Sequence, residues 1–225
     1  MMNSSMGPRY SSATADVRPP PNIRESTITV ARTLNDLMQV TALRSAVYLA
    51  EQECPYDEEF DGNDFCALHL IGRVGAEPVG CLRARFFADF AKLERLAVRH
   101  EYRRTSMAFE LVRAGIELCR KKGYRRIYGH AQDRLVPFWR RFGAKPLHPQ
   151  RDLVFSDFRY TEMLLETEPL EDAITLDADP YVLIRPEGDW HRPGILETSA
   201  IRPVSSPLRA MSDRPKRPSP TEARP

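Results

Sequence analysis

No stretch of the 225-residue chain is apolar for long enough to cross a membrane, and residues 1–21, MMNSSMGPRYSSATADVRPPP, lack the hydrophobic run of a secretory signal. A cytoplasmic protein without membrane insertion is the expectation. Cysteine is scarce: Cys54, Cys66, Cys81 and Cys119 fall in no C-x-x-C pair and at no metal-ligand spacing. That points away from a disulfide framework or a zinc centre and toward reduced, mostly buried thiols, with no metal expected. Internal repeats are missing, and so is any aromatic stacking pattern or reading motif for nucleic acid. Basic residues are absent from Glu51 to Asp64, which holds seven acids, whereas Arg95 to Lys145 holds fourteen bases against four acids. The formal net charge of +2 therefore hides a dipolar surface. What is present is ordinary for a globular chain, 42% hydrophobic and 28% charged residues, enough for one good-sized core plus tails.

Residues 1–22 are polar, proline-bearing and aperiodic, and read as a disordered N-terminal tail. Residues 26–33 (STITVART) make a first strand, after which Asn35 or Asp36 caps a helix whose stripe runs Leu37, Val40, Val47. Arg44 lies on that apolar stripe and needs a partner; Asp61 or Asp64 can supply it, either as a structural ion pair or as part of a binding site. Residues 67–74 (ALHLIGRV) and 78–87 (PVGCLRARFF) form a hairpin. Further on, 125–130 reads as a strand, Leu135–Phe142 as a short helix closed by Gly143, and 153–155 and 159–165 as two last strands. This order predicts an α+β domain over residues 23–168, a mixed and mostly antiparallel sheet flanked by helices. Residues 169–200, with a strand at Tyr181–Ile184, read as an extension packed on the domain, and 201–225 as a disordered, basic, proline-rich tail.

The organising stretch is AKLERLAVRHEYRRTSMAFELVRAGIELCRKK, residues 91–122. Lys92 to Val98 alternates as a strand with one buried face. From Met107, the residues Met107, Leu111, Ala114, Gly115 and Leu118 recur at helical spacing, with Glu110, Arg113, Glu117, Arg120 and Lys121 opposite. Between them lies a loop carrying three arginines and the small residues Thr105, Ser106 and Ala108. A helix start has unpaired N–H groups and a partial positive charge, so such a loop is an anion site, most naturally for phosphate.

A strand ending Leu96-x-Val98, followed by RRTSMA and an amphipathic helix, resembles the acyl-CoA-binding motif of the GNAT (Gcn5-related N-acetyltransferase) superfamily, Arg/Gln-x-x-Gly-x-Gly/Ala. Arg103 and Ala108 match it; Arg104 and Ser106 depart from it. The segment RSAVYLAEQECPYDEEFDGND at 44–64 is similar to the R-x-x-V-F-x-x-E-Q-x-C-P-Y…D-G-x-D pattern of the ElaA-like branch, as are the strands carrying His69, Arg83 and Arg95-x-x-Val98, and HAQ ahead of FWRRFGA. The likeness spans roughly residues 26–165. It implies a sheet splayed at the acyl-CoA site, with Leu96, Ala97, Val98, Arg103, Arg104, Thr105, Ser106, Met107, Ala108 and Trp139 holding acetyl-CoA or another acyl-CoA. It also implies Arg44, Gln52, Asp64, His69, Arg83 and Arg95 on the substrate side.

Acyl transfer to an amine needs a neutral amine, a polarised thioester and a proton for the departing thiolate. Glu94 and His130 are the candidate bases, Glu94 directly or through water; each also has a plain structural reading, as has His69. Trp139 stands where many relatives have a tyrosine acid, and indole does not supply a proton in that way; either Tyr128 or water replaces it, or the thiolate leaves unassisted. Arg83 and Arg95 either bind a substrate carboxylate or pair with the acidic segment. The resulting expectation is an N-acyltransferase acting by direct attack of the amine of a small molecule or peptide. R44-x-x-V47 and E59-F60-D61-x-x-D64 also resemble acyl-homoserine-lactone and N-acyl-amino-acid synthases that use acyl carrier protein, which the basic run 120–126 would dock; Lys92 stands where their acidic residue is expected. A third reading is a non-catalytic module binding acyl-CoA, nucleic acid or an acidic partner. A homodimer through the last strands or the extension completes the set.

Overall fold

The computed structural model describes residues 26–203, so the expected tails lie outside the described residues up to position 25 and from position 204. Two compact units divide the chain between Ala173 and Ile174.

In the first unit one sheet runs in the order β1 (Ser26–Val30), β2 (Leu68–Val74), β3 (Glu77–Phe86), β4 (Ala91–Val98), β5 (Arg126–Gln132), β8 (Phe158–Glu166), β6 (Lys145–Pro146), with β7 (Leu153–Phe155) also paired to β8. Every pairing is antiparallel except β4 with β5. β3 is the centre of the core, buried without a break from Val79 to Ala84, because helices cover both of its faces. On one face α1 (Leu34–Arg44) sets Val40 and Leu43, with Val47 beyond it, against Ile71, Cys81 and Ala97. On the other, α3 (Met107–Lys121) buries Met107, Leu111, Val112, Gly115, Leu118 and Cys119. Gly115 lets α3 lie close: a Cβ there would stand 2.6 Å from the Leu82 Cδ2 and 3.2 Å from a Leu93 methyl. Each fully buried leucine or valine contributes roughly 1.5–3 kcal/mol, so these two layers fix the sheet on which the site is built.

The local structure departs from the sequence pattern in several places. Thr33, not Asn35 or Asp36, caps α1; its extended backbone lets its hydroxyl accept from Asp36 N while the Asp36 carboxylate accepts from Thr33 N. α1 passes directly into a π-helical segment, Ser45–Glu51, followed by a single turn α2 (Tyr56–Glu59). The alternation of β4 is broken at Arg95, whose φ of 53° accompanies a register shift against β3. The expected helix 135–142 is α4 (Val136–Arg140), preceded by a 3₁₀ turn at Asp133–Leu135.

The strand expected at Tyr181–Ile184 is instead a short helix of the second unit, α5 (Pro180–Leu183), since the Asp179 carboxylate accepts from Tyr181 N and Pro180 occupies the first turn. Within that unit Arg185 ties Glu197 to the Trp190 carbonyl. Residues 167–170 run with the first unit, Thr167 N donating to Arg125 O at 2.9 Å and Leu170 N to Arg120 O at 3.2 Å. Among the described residues no helix is long and apolar enough to cross a membrane.

Candidate active site

β4 and β5 pair at only two positions, Ala91 with Ile127 and Lys92 with Tyr128, and then part. Gly129 sits where they separate; a Cβ on it would lie 3.1 Å from the Leu93 carbonyl oxygen. Parallel strands that diverge leave backbone groups along their facing edges, and here a cleft of about 780 Å³ fills the opening. Its floor is β4 from Lys92 to Val98, its far wall includes His130 and Gln132 of β5, and the π segment roofs it through Val47, Tyr48 and Glu51, with Gln52 just beyond its end. One end meets the start of α3 at Arg103, Thr105, Ala108 and Phe109, alongside Phe138 and Trp139 of α4.

At that end the chemistry is cationic and donor-rich. The first-turn N–H groups of α3 have no partners within the helix. Ser106 does not cap them with its hydroxyl, which donates to Glu110. Arg103 Nε donates to the Val98 carbonyl at 3.0 Å and its Nη2 pairs with Glu51. Tyr48, from the π segment, donates to the Leu96 carbonyl at 2.8 Å. Of the residues expected to hold the donor, Leu96, Val98, Arg103, Thr105, Ala108 and Trp139 line the cleft. Ala97 and Met107 are buried in the core, Met107 with its sulfur against Gly72, while Arg104 and Ser106 are exposed beside the opening.

The other end holds the titratable groups. His130 Nε2 lies 2.7 Å from the Tyr128 hydroxyl, which itself donates to Glu162. Glu162, buried and bound by Arg151, stays ionised. The tyrosine keeps its proton and points it at Glu162, so His130 Nε2 donates to the tyrosine oxygen, and Nδ1 is the basic nitrogen. Burial, with the Lys92 charge, holds the His130 pKa below its usual value. The imidazole is thus neutral near pH 7. Glu94 accepts from Arg83 Nε at 3.0 Å and contacts Lys92 Nζ at 2.7 Å. Burial raises its pKa, but Lys92, Arg83 and Arg95 outweigh that and keep it low, so it is a weak base. Gln132 donates to Gln52 Oε1 at 3.3 Å and to the Tyr160 hydroxyl at 3.4 Å, while its own buried Oε1 has no partner among the described residues.

The structure does not bring Arg44, Asp64, His69 or Arg83 to the cleft wall. Arg44 and Arg83 are fully buried; Arg44 binds Glu59 and Asp64, and Arg83 joins Asp61, Asp64 and Glu94. His69 Nε2 rests 3.0 Å from the Asp64 carbonyl. Their guanidiniums are consumed by the acidic segment, whose charge is the reason two arginines are stable inside the fold. Of the residues expected on the substrate side, Gln52 and Arg95 do line the cleft, and Arg95 is tied to Glu59 at 3.1 Å and to the Glu58 carbonyl at 2.7 Å. Tyr128 is likewise spent on Glu162 and His130 and stands outside the cleft lining.

Four lining aromatics escaped the sequence reading: Tyr48, Phe109, Phe155 and Tyr160. Only Tyr48 had a signal, a hydroxyl where the quoted pattern has phenylalanine. Phe155 stacks on Tyr160 at 3.7 Å between centroids, and burial raises the Tyr160 pKa, which keeps its proton in place.

The model of the acetyltransferase (GNAT) family matches residues 37–144, from the middle of α1 through α4. Residues 37–144 form a GNAT acetyltransferase domain. The GNAT domain is 27% identical over 118 residues to the uncharacterized N-acetyltransferase YjcF of Bacillus subtilis strain 168, covering 52% of this chain and 84% of that protein. Its fold is that of Escherichia coli ElaA, at 22% identity, TM-score 0.56, and 63% and 99% of the two chains covered. It also resembles Arabidopsis thaliana Naa50, solved in complex with the bisubstrate analogue CoA-Ac-MVNAL, at 15% identity, TM-score 0.53, and 64% and 99% covered. The protein is accordingly an acyl-CoA-dependent N-acyltransferase.

Proposed function

We propose that the cleft takes acetyl-CoA and transfers its acetyl group to the primary amine of a small molecule or peptide by direct attack. The observation that carries this is the parting of β4 from β5 beside the start of α3, which sets an anion site and a neutral imidazole at opposite ends of one cleft. When bound, the coenzyme supplies an activated thioester. Arg103 and the first-turn N–H groups of α3 hold its phosphates, Thr105 shapes that loop through its hydroxyl on the Tyr102 carbonyl, and the β4 edge at Leu96 to Val98 orients its arm. His130 Nδ1 accepts the proton that the attacking amine sheds. Glu94, ionised, keeps Lys92 and Arg83 in place around that end. Tyr160 supplies a proton to the departing thiolate, the role that Trp139 cannot fill. The orphaned Gln132 Oε1 is a ready acceptor for an N–H of either substrate.

The cleft has room for the donor arm and an acceptor together, and the Naa50 complex with a peptide joined to CoA supports a peptide among the acceptors to be tried. Calorimetry with acetyl-CoA should give one site per chain, weakened strongly by Arg103→Glu. Thiol release from acetyl-CoA against pooled amines, polyamines and peptides then identifies the acceptor. Absence of acetyl-CoA binding by the folded wild type would refute the reading. Lys92, placed where the longer-chain synthases carry an acid, is occupied with Glu94, which favours coenzyme A over a carrier protein as donor.

A further inference from the structure

Five carboxylates line the cleft, those of Glu51, Glu58, Glu59, Asp61 and Glu94. Glu58 accepts from the backbone N and hydroxyl of Ser156, Glu59 pairs with Arg44 and Arg95, Asp61 with Arg83 and Arg95, and Glu94 with Arg83 and Lys92. All those cations stand on α1, β3 or β4. Glu51 differs. Its partner is Arg103, in the loop that leads into α3, 52 residues along the chain. Arg103 is not free to turn away, because its Nε is held by the Val98 carbonyl at 3.0 Å. Both residues line the cleft, and the Glu51 carboxylate occupies Nη2 of that held guanidinium. Both side chains keep partial access to solvent, 40% for Arg103 and 35% for Glu51, so the pair can open without leaving a buried charge behind.

We propose that Glu51 is a built-in competitor for the phosphates of the donor: coenzyme A binds by exchanging the Glu51 carboxylate on Arg103 for a phosphate oxygen, and Glu51 thereby sets donor affinity. This rests on the coenzyme reading given above. No covalent bond changes and no proton moves; one anion replaces another on a fixed cation. The diphosphate bridge of the coenzyme, with two negative charges, can outcompete a single carboxylate, whereas a pantetheine fragment without phosphate leaves the pair shut. Glu51 thus acts as a specificity residue for a phosphate-bearing donor.

The test is a calorimetric cycle with coenzyme A on the full chain, using wild type, Glu51→Gln, Arg103→Met and the double variant at fixed ionic strength. Glu51→Gln is expected to tighten coenzyme A binding by about fivefold, the scale of a half-exposed ion pair. In the Arg103→Met background the same change should alter affinity by less than about twofold. Pantetheine, titrated into wild type and Glu51→Gln, should bind both equally. The proposal is overturned if Glu51→Gln binds coenzyme A no tighter than wild type, or if pantetheine gains as much as coenzyme A. An undiminished gain in the Arg103→Met background also overturns it, since that would be general repulsion. If folded wild type and Glu51→Gln both fail to bind coenzyme A, the coenzyme reading itself falls and takes this one with it.

Discussion

His130 and Arg83 illustrate how the same scale of interaction serves opposite ends. His130 owes its tautomer to two residues behind it, Tyr128 and Glu162, and its neutrality to burial. A base held below its usual value of about 6.5 should give a pH profile for kcat/KM with an ascending limb in the mildly acid range. His130→Gln should lower the rate by about a hundredfold and remove that limb; an unchanged limb would assign it to another group. Glu162→Gln should move the limb without abolishing activity. Arg83, with no exposed surface, neutralises Asp61, Asp64 and Glu94. Arg83→Met should cost about 3–5 kcal/mol in urea unfolding, far beyond what removing a surface ligand-binding arginine would do. The sequence showed that Arg44 needed an acidic partner, and Asp64 is one of two it has, the other being Glu59. It could not show which carboxylates reach which arginine, because the segment 56–64 is a turn of helix and loop whose path no periodicity encodes.

At the scale of the element, the strand–loop–helix 91–122 was legible because amphipathic α3 and the alternation of β4 each repeat over enough residues to be read locally. The bulge at Arg95 was not, since one residue at positive φ leaves no pattern. The π segment was illegible for the same reason: its wider turn is set by packing on the sheet, where Val47 joins the core and Tyr48 reaches Leu96. It decides much of the cleft, as it directs Glu51 to Arg103 and Gln52 to Gln132. Deleting the exposed Ala50 would turn Glu51 and Gln52 by roughly a quarter of a turn about the axis of the wider π segment while leaving Val40, Leu43 and Val47 where they are. The far-ultraviolet circular dichroism should be unchanged and the acyl-transfer rate at least about tenfold lower. Equal activity would show that the roof of the cleft has no part in the reaction.

For the whole molecule, acid is the natural stress. His69 and His130 are both held neutral, chiefly by burial. The unfolded chain takes up these protons near pH 6.5 and the folded chain only at lower pH, so their stabilisation is complete above that value and declines as pH falls below it. The slope is up to about 1.4 kcal/mol per pH unit for His69 and less for the more open His130. Although burial raises them, Asp61, Asp64 and Glu94 are pulled below the usual carboxylate range by their arginines and lysine, adding a second loss below about pH 4. Urea titrations at pH 7.5 and 5.5 should show the first step; equal midpoints would contradict it. The fold class was readable because helices and strands alternate in a fixed order. Tyr160 was not, because it enters the cleft from β8, far along the chain from β4. Of the two tryptophans in the sequence, Trp139 forms the cleft wall and Trp190 belongs to the second unit. Replacing Trp190 with phenylalanine therefore leaves a single tryptophan, seated where the donor would lie, and its emission, excited apart from the tyrosines, makes the protein its own optical reporter of occupancy.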